Sequence, residues 1–209
     1  MEGMRKGVAA VACGLILGGV AKQATATPTT LAVIPIADTL GFREGLFLYA
    51  VTGYERRSTS RYEHGFYLTL GLADRLELSN DTMGWTASSL KLKAFENDRG
   101  AFSFGVMNAL DGKGDLYAVG RLDFDRVRWH GGVLRDTKTR LMIGVDFDFG
   151  SDWSGGIDYI SGPGSAVNAI LNVPISHIPG VTISLIGNFP THRREPIAHS
   201  ISLNYGFRF

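Results

Sequence analysis

The side chains in this chain with chemistry to offer are charged residues spaced two apart inside otherwise apolar runs. They are Lys91 and Lys93, Arg121 and Asp123, Arg126, Arg128 and His130, Asp146 and Asp148, and Asp158. Spacing of two puts such residues on one face of an extended strand and their apolar neighbours on the other. A loop centred near Thr137 would set Arg128 opposite Asp146 and Arg126 opposite Asp148, with Arg121 beside Arg128 on one flank and Asp158 beside Asp146 on the other. The expected result is a band of alternating charge across four adjacent strands. Opposite charges across a strand pair can knit a wall together, at about 0.2–1 kcal/mol each. The same band facing a bore would set up a transverse field that orients polar solutes. The cations Lys91, Lys93, Arg121, Arg126 and Arg128 are balanced by Glu77, Asp123, Asp146, Asp148 and Asp158, so strong ion selectivity is not implied.

Other chemistries find little support. A lipase-like site needs a nucleophile with a histidine in reach, but the neighbours of His130 are Gly131 and Gly132. The histidines at 64, 130, 177, 192 and 199 are too scattered for a metal. Gly112, Lys113 and Gly114 lack the spacing of a phosphate-binding loop. The expectation is no catalytic residue, no cofactor and no metal.

The elements that must position the band are short alternating runs separated by Gly, Asp, Asn, Ser and Pro, the pattern of an antiparallel all-β sheet. Twelve runs qualify: 45–55, 65–73, 75–82, 87–95, 101–109, 115–124, 126–134, 140–149, 154–161, 165–174, 180–189 and 199–209. Ten or fourteen are the alternatives, because the connection near Pro163 is short for an outer loop. Uncharged apolar faces, such as Phe102, Phe104 and Val106 or Leu141, Ile143, Val145 and Phe147, suit contact with lipid. Polar opposite faces suit a wet interior, so a transmembrane β-barrel is favoured over a secreted sandwich. Aromatics near strand ends, at Tyr54, Trp85, Trp153, Tyr159 and Phe189, suit interfacial girdles.

The start of the chain points to export. Arg5 and Lys6 precede an uncharged run that ends in Ala24, Thr25 and Ala26, the arrangement of a signal peptide spanning residues 1–26. The single cysteine, Cys13, falls within it, and a mature chain without disulfides then needs another source of rigidity. Residues 27–44 read as a periplasmic lead-in. Pro35 interrupts the apolar run there, and any plug for the barrel of residues 45–209 has to come from residues 27–40. Small inward positions, including Gly71, Gly132, Gly144, Gly156, Ser184 and Ser202, leave room for water along the bore. The near balance of 21 basic and 20 acidic residues gives no electrostatic reason to expect nucleic acid.

The last ten residues alternate Ile201, Leu203, Tyr205, Phe207 and Phe209 with polar or small partners. This segment resembles the closing strand of bacterial outer-membrane barrels, in which the terminal aromatics are an insertion signal; the resemblance assigns that role to Tyr205, Phe207 and Phe209. It implies outer-membrane lipid, lipopolysaccharide and the barrel-insertion machinery as partners. Pro35, Ile36, Ala37, Asp38, Thr39 and Leu40, followed by Gly71, Leu72, Ala73, Asp74, Arg75, Leu76 and Glu77, are also similar to a group of YjbH-like barrel proteins. That resemblance implies an outer-membrane or polysaccharide-export setting and no site residues. The leading expectation is a small porin-like channel for polar solutes, and the second is a non-conducting structural or assembly barrel. An outer-membrane lipid enzyme ranks third.

Overall fold

The computed structural model describes residues 31–32, 34–55, 61–81, 88–110, 114–192 and 195–209. Twelve antiparallel strands close into one barrel: β1 (Glu44–Tyr54), β2 (Arg61–Ala73), β3 (Leu76–Asp81), β4 (Ser88–Asn97), β5 (Gly100–Met107), β6 (Asp115–Phe124), β7 (Val127–Arg135), β8 (Thr139–Gly150), β9 (Trp153–Ile160), β10 (Ala166–Pro174), β11 (Val181–Pro190) and β12 (Ala198–Arg208). Eleven of the expected runs match to within two residues, and β2 begins four residues earlier than its run. Closure by β1 on β12 leaves no sheet edge unpaired.

Turn chemistry explains the two different ends. At the end holding Glu44 and Arg208, strands are joined by pairs such as Asp74 with Arg75, Asp98 with Arg99, Asp125 with Arg126, and Ser151 with Asp152. Asp125, Ser151 and Asp152 adopt positive φ, which short polar side chains tolerate better than branched ones. The opposite end carries most of the longer connections. That asymmetry is the one membrane barrels show, with short turns on the periplasmic side.

Alternation sorts the side chains by face. Phe102, Phe104, Leu122, Trp129, Leu141, Ile143, Ile157, Leu185, Ile201 and Leu203 are large, apolar and exposed on the outside. On a water-soluble protein an apolar belt of this extent would be a liability, whereas hydrocarbon covers it without cost. On the closing strand, Tyr205 and Phe207 stack at 6.0 Å, and Phe207 meets Phe209 at 6.2 Å. Phe207 also lies over Gly45 of β1, where any Cβ would strike its ring, so the last strand is seated against the first by a glycine.

The interior holds the lead-in segment, the stretch from which the sequence allowed a plug, and this corrects the reading of all the small inward positions as room for water. Leu31, Ile34, Ile36 and Ala37 are buried in one apolar cluster with the inward side chains Ala101, Tyr117, Val119, Leu134, Met142 and Ile160. Two of the small inward residues are small because this segment passes them. A Cβ at Gly71 would sit 1.9 Å from the Gly41 carbonyl oxygen, and one at Gly144 would meet Leu31 and Ile34 at 2.8 and 3.0 Å.

Candidate functional site in the bore

The hairpin of β7 and β8 sets the register of the charged band. Arg128 pairs with Asp146 as expected, its Nε donating to Asp146 Oδ1 at 2.7 Å. His130 brings Nε2 to 2.8 Å from Asp146 Oδ2, so one buried carboxylate serves both side chains. On the other flank the expected register is displaced by one pair. Asp123 lies opposite Arg128 and Arg121 opposite His130, and Arg121 closes on Asp123 through its Nη2 at 2.9 Å. Asp158 lies opposite Gly144, and Asp146 opposite Gly156. The two aspartates are therefore offset along the bore, which keeps two buried like charges apart.

Arg126 and Asp148 leave the band. Arg126 stands in the exposed turn before β7, because the chain reverses at Asp125 with positive φ. Its carbonyl accepts from the Asp148 N–H, but the Asp148 carboxylate turns to the Gly150 N–H, 2.8 Å away. A local turn hydrogen bond thus replaces the expected ion pair. Lys91 and Lys93 do face inward. Lys91 is buried against Glu77 at 2.8 Å, and Lys93 reaches Glu96 at 2.5 Å.

The lead-in segment binds this wall through polar as well as apolar contacts. The Asp38 carboxylate bridges Arg121 and Arg128, with Arg128 Nη1 at 3.5 Å from Oδ2. The Ala32 N–H donates to Asp158 at 2.6 Å, and the Leu40 N–H to Glu77 at 2.9 Å. Ser103 Oγ donates to the Ala37 carbonyl. Among the described residues, the charged wall residues that touch residues 32–40 each also have a partner in the wall itself: Asp123 for Arg121, Asp146 for Arg128, Asn168 for Asp158 and Lys91 for Glu77. Residues 39–41 also lie against the turn between β2 and β3 and its flanks, through Thr39 Oγ1 donating to the Asp74 carbonyl at 3.4 Å, Leu40 on Glu77 and Gly41 beside Gly71.

Sequence reasoning passed over Asp38 as a site residue. A signal was present, since Asp38 is the one charge among residues 27–40 and an isolated acid in an apolar segment needs a partner. It also passed over a ladder on the remaining wall. Asn188 donates to Asn168, which donates to Asp158, and Asn204 donates to Ser184, which donates to Asn172, which in turn donates to Ser154 at 3.2 Å. Asn168, Asn172, Ser184 and Asn204 are almost fully buried.

Among the described residues no group of histidine, cysteine and carboxylate side chains could hold a metal ion. No family model matches the chain, and no curated protein sequence does. Solved structures do match in shape. One is described as KdgM porin, with a TM-score of 0.50, 12% identity, and coverage of 78% of this chain and 99% of that one. Another is the translocator domain of autotransporter NalP from Neisseria meningitidis, with a TM-score of 0.42, 12% identity, and coverage of 100% and 95%. At such identities the likeness concerns the fold alone, and the fold is that of a closed twelve-strand antiparallel barrel.

Proposed function

We propose that this chain is an outer-membrane, porin-like channel for small polar solutes that rests closed, with residues 31–40 as its stopper. The observation that carries the reading is the double satisfaction of the wall. Arg121, Arg128, Asp158 and Glu77 each keep a wall partner if the segment leaves, so its exit strands no buried charge. Removing one member of a buried ion pair is otherwise strongly unfavourable. A wall that stands without the segment can line an open pore, and in that state Lys91, Lys93, Arg121, Asp123, Arg128, His130, Asp146 and Asp158 would face the solute. In this reading Tyr205, Phe207 and Phe209 serve insertion by the barrel-assembly machinery, the outer surface meets lipid and lipopolysaccharide, and residues 1–26 direct export.

The test is reversible locking. The only cysteine lies within residues 1–26, so Ala37→Cys with Ser103→Cys introduces a single new pair where Ser103 meets the Ala37 carbonyl. Proteoliposomes carrying the oxidised variant should not swell in a small neutral sugar, and swelling should appear on reduction. Equal behaviour in both states would count against a stopper. The apolar cluster around Ile34 and Ile36 favours the second reading, a permanently closed structural barrel, and silence in both states would support it.

A further inference from the structure

The belt has a recess on β6 and β7. Gly120 of β6 and Gly131 of β7 are register partners on the outer face. They border a notch of about 530 Å³ lined by Phe95, Phe102, Leu122 and Trp129, with Arg99 and Asn97 at its turn end. Other glycines from β5 to β7 are required by close neighbours. A Cβ at Gly100 would lie 2.1 Å from the Arg121 carbonyl oxygen, and one at Gly132 would lie 2.4 Å from that of Ala118. At Gly131 nothing stands within 4 Å, and at Gly120 the nearest atom is 3.8 Å away. Strands disfavour glycine, which adds backbone freedom and packs nothing. Two unforced glycines side by side therefore keep a space open that the barrel's own packing does not need.

A second feature says what fills it. Three successive short turns repeat an Asp-Arg pair, placing Arg75, Arg99 and Arg126 along one arc of the periplasmic rim. All three are exposed, and among the described residues none forms an ion pair. The Asn97 side chain accepts from the Arg99 N–H at 2.9 Å and fixes that turn. The glycine pair sits two residues up from Gly100, about 7 Å at the rise of a strand. A guanidinium at the headgroup level, with an apolar trough beginning one step deeper, matches a phosphate joined to an acyl chain.

We propose that this notch is a binding site for one anionic glycerophospholipid of the periplasmic leaflet, its phosphate on Arg99 and an acyl chain over Gly120 and Gly131 against Trp129. The proposal does not depend on whether the bore conducts. Trp129 provides the readout once Trp85 and Trp153 are changed to Phe. The probe is phosphatidylglycerol with brominated acyl chains, titrated into bilayers of unbrominated phosphatidylcholine that hold the full mature chain. Quenching of Trp129 should exceed that expected from the bulk mole fraction by about fivefold, the enrichment one arginine gives at an anionic headgroup. Arg99→Glu, and separately Gly131→Ile, which fills the trough while keeping the arginine, should each return quenching to the bulk proportion. Heat-modifiable gel migration verifies that both variants fold. Quenching that tracks mole fraction in the parent overturns the site. Insensitivity to brominated lipid, combined with dependence on the protein-to-lipid ratio, also overturns it by assigning the notch to a second copy.

Discussion

The two walls of the bore use polar residues in opposite ways. From β3 to β9 the inner face carries charges and a patch of apolar side chains, and it holds the lead-in segment through Glu77, Ser103, Arg121, Arg128 and Asp158. From β10 to β12 the inner face carries, beside the buried Ala166, Ile170 and Ala198, Asn and Ser side chains that bond to one another and, among the described residues, make no hydrogen bond to the segment. The difference teaches where movement can occur. A neutral ladder that passes its hydrogen bonds only to the neighbouring wall, from Asn168 to Asp158 and from Asn172 to Ser154, stiffens the sheet, whereas a charged wall with spare bonding capacity can hold or release a guest.

That contrast can be broken on the charged side first. Asp146→Ala removes the carboxylate shared by Arg128 and His130 and should cost about 3 kcal/mol of barrel stability, measured by urea unfolding in lipid vesicles; a loss like that of a surface substitution would contradict the shared role. Asp38→Ala leaves the wall intact and frees only the segment. It should weaken docking by about 2 kcal/mol, the worth of charge-assisted hydrogen bonds, seen as faster amide exchange at Ala32 and Leu40 with an unchanged urea midpoint. On the neutral side, Asn172→Ala should cost about 1 kcal/mol of barrel stability and leave those two amides protected. If it freed them, the walls would not be independent.

The smallest effect lies outside both walls, in the connection between β7 and β8. Asp136 accepts from the Lys138 N–H at 2.9 Å and from Arg140. The Lys138 backbone hydrogen bond foremost, then Arg140, holds its carboxyl below the usual carboxylate range. A depressed folded value means that the loop gains stability above the ordinary carboxylate pKa and loses it as pH falls through the folded value. Exchange at the Lys138 amide should accordingly be protected at neutral pH and lose that protection only well into the acid range. In Asp136→Asn, protection should no longer vary with pH.

Much of this was legible from alternation. The twelve strands, the outward apolar belt and the facing of Arg128 on Asp146 follow from spacing of two and one tight turn. What alternation cannot supply is register across turns whose geometry depends on positive φ. Asp125 shifted Arg126 out of the wall, and the partners of Arg121 moved by one pair with it. Nor can it show what fills an interior. Gly71 and Gly144 read as room for water because a missing side chain looks the same whether water or backbone takes the space. The isolated charge of Asp38 was the available clue, and it acquires meaning only once two arginines on different strands are known to converge.

The most direct test is single-channel conductance of a chain of residues 27–209 in a planar bilayer, compared with the same chain lacking residues 27–40. The account predicts a nearly silent intact barrel and steady conductance after the deletion, with Arg128→Ala in the deleted background shifting selectivity towards cations. A folded, deleted barrel that stays silent would contradict it and leave a closed structural barrel as the better description.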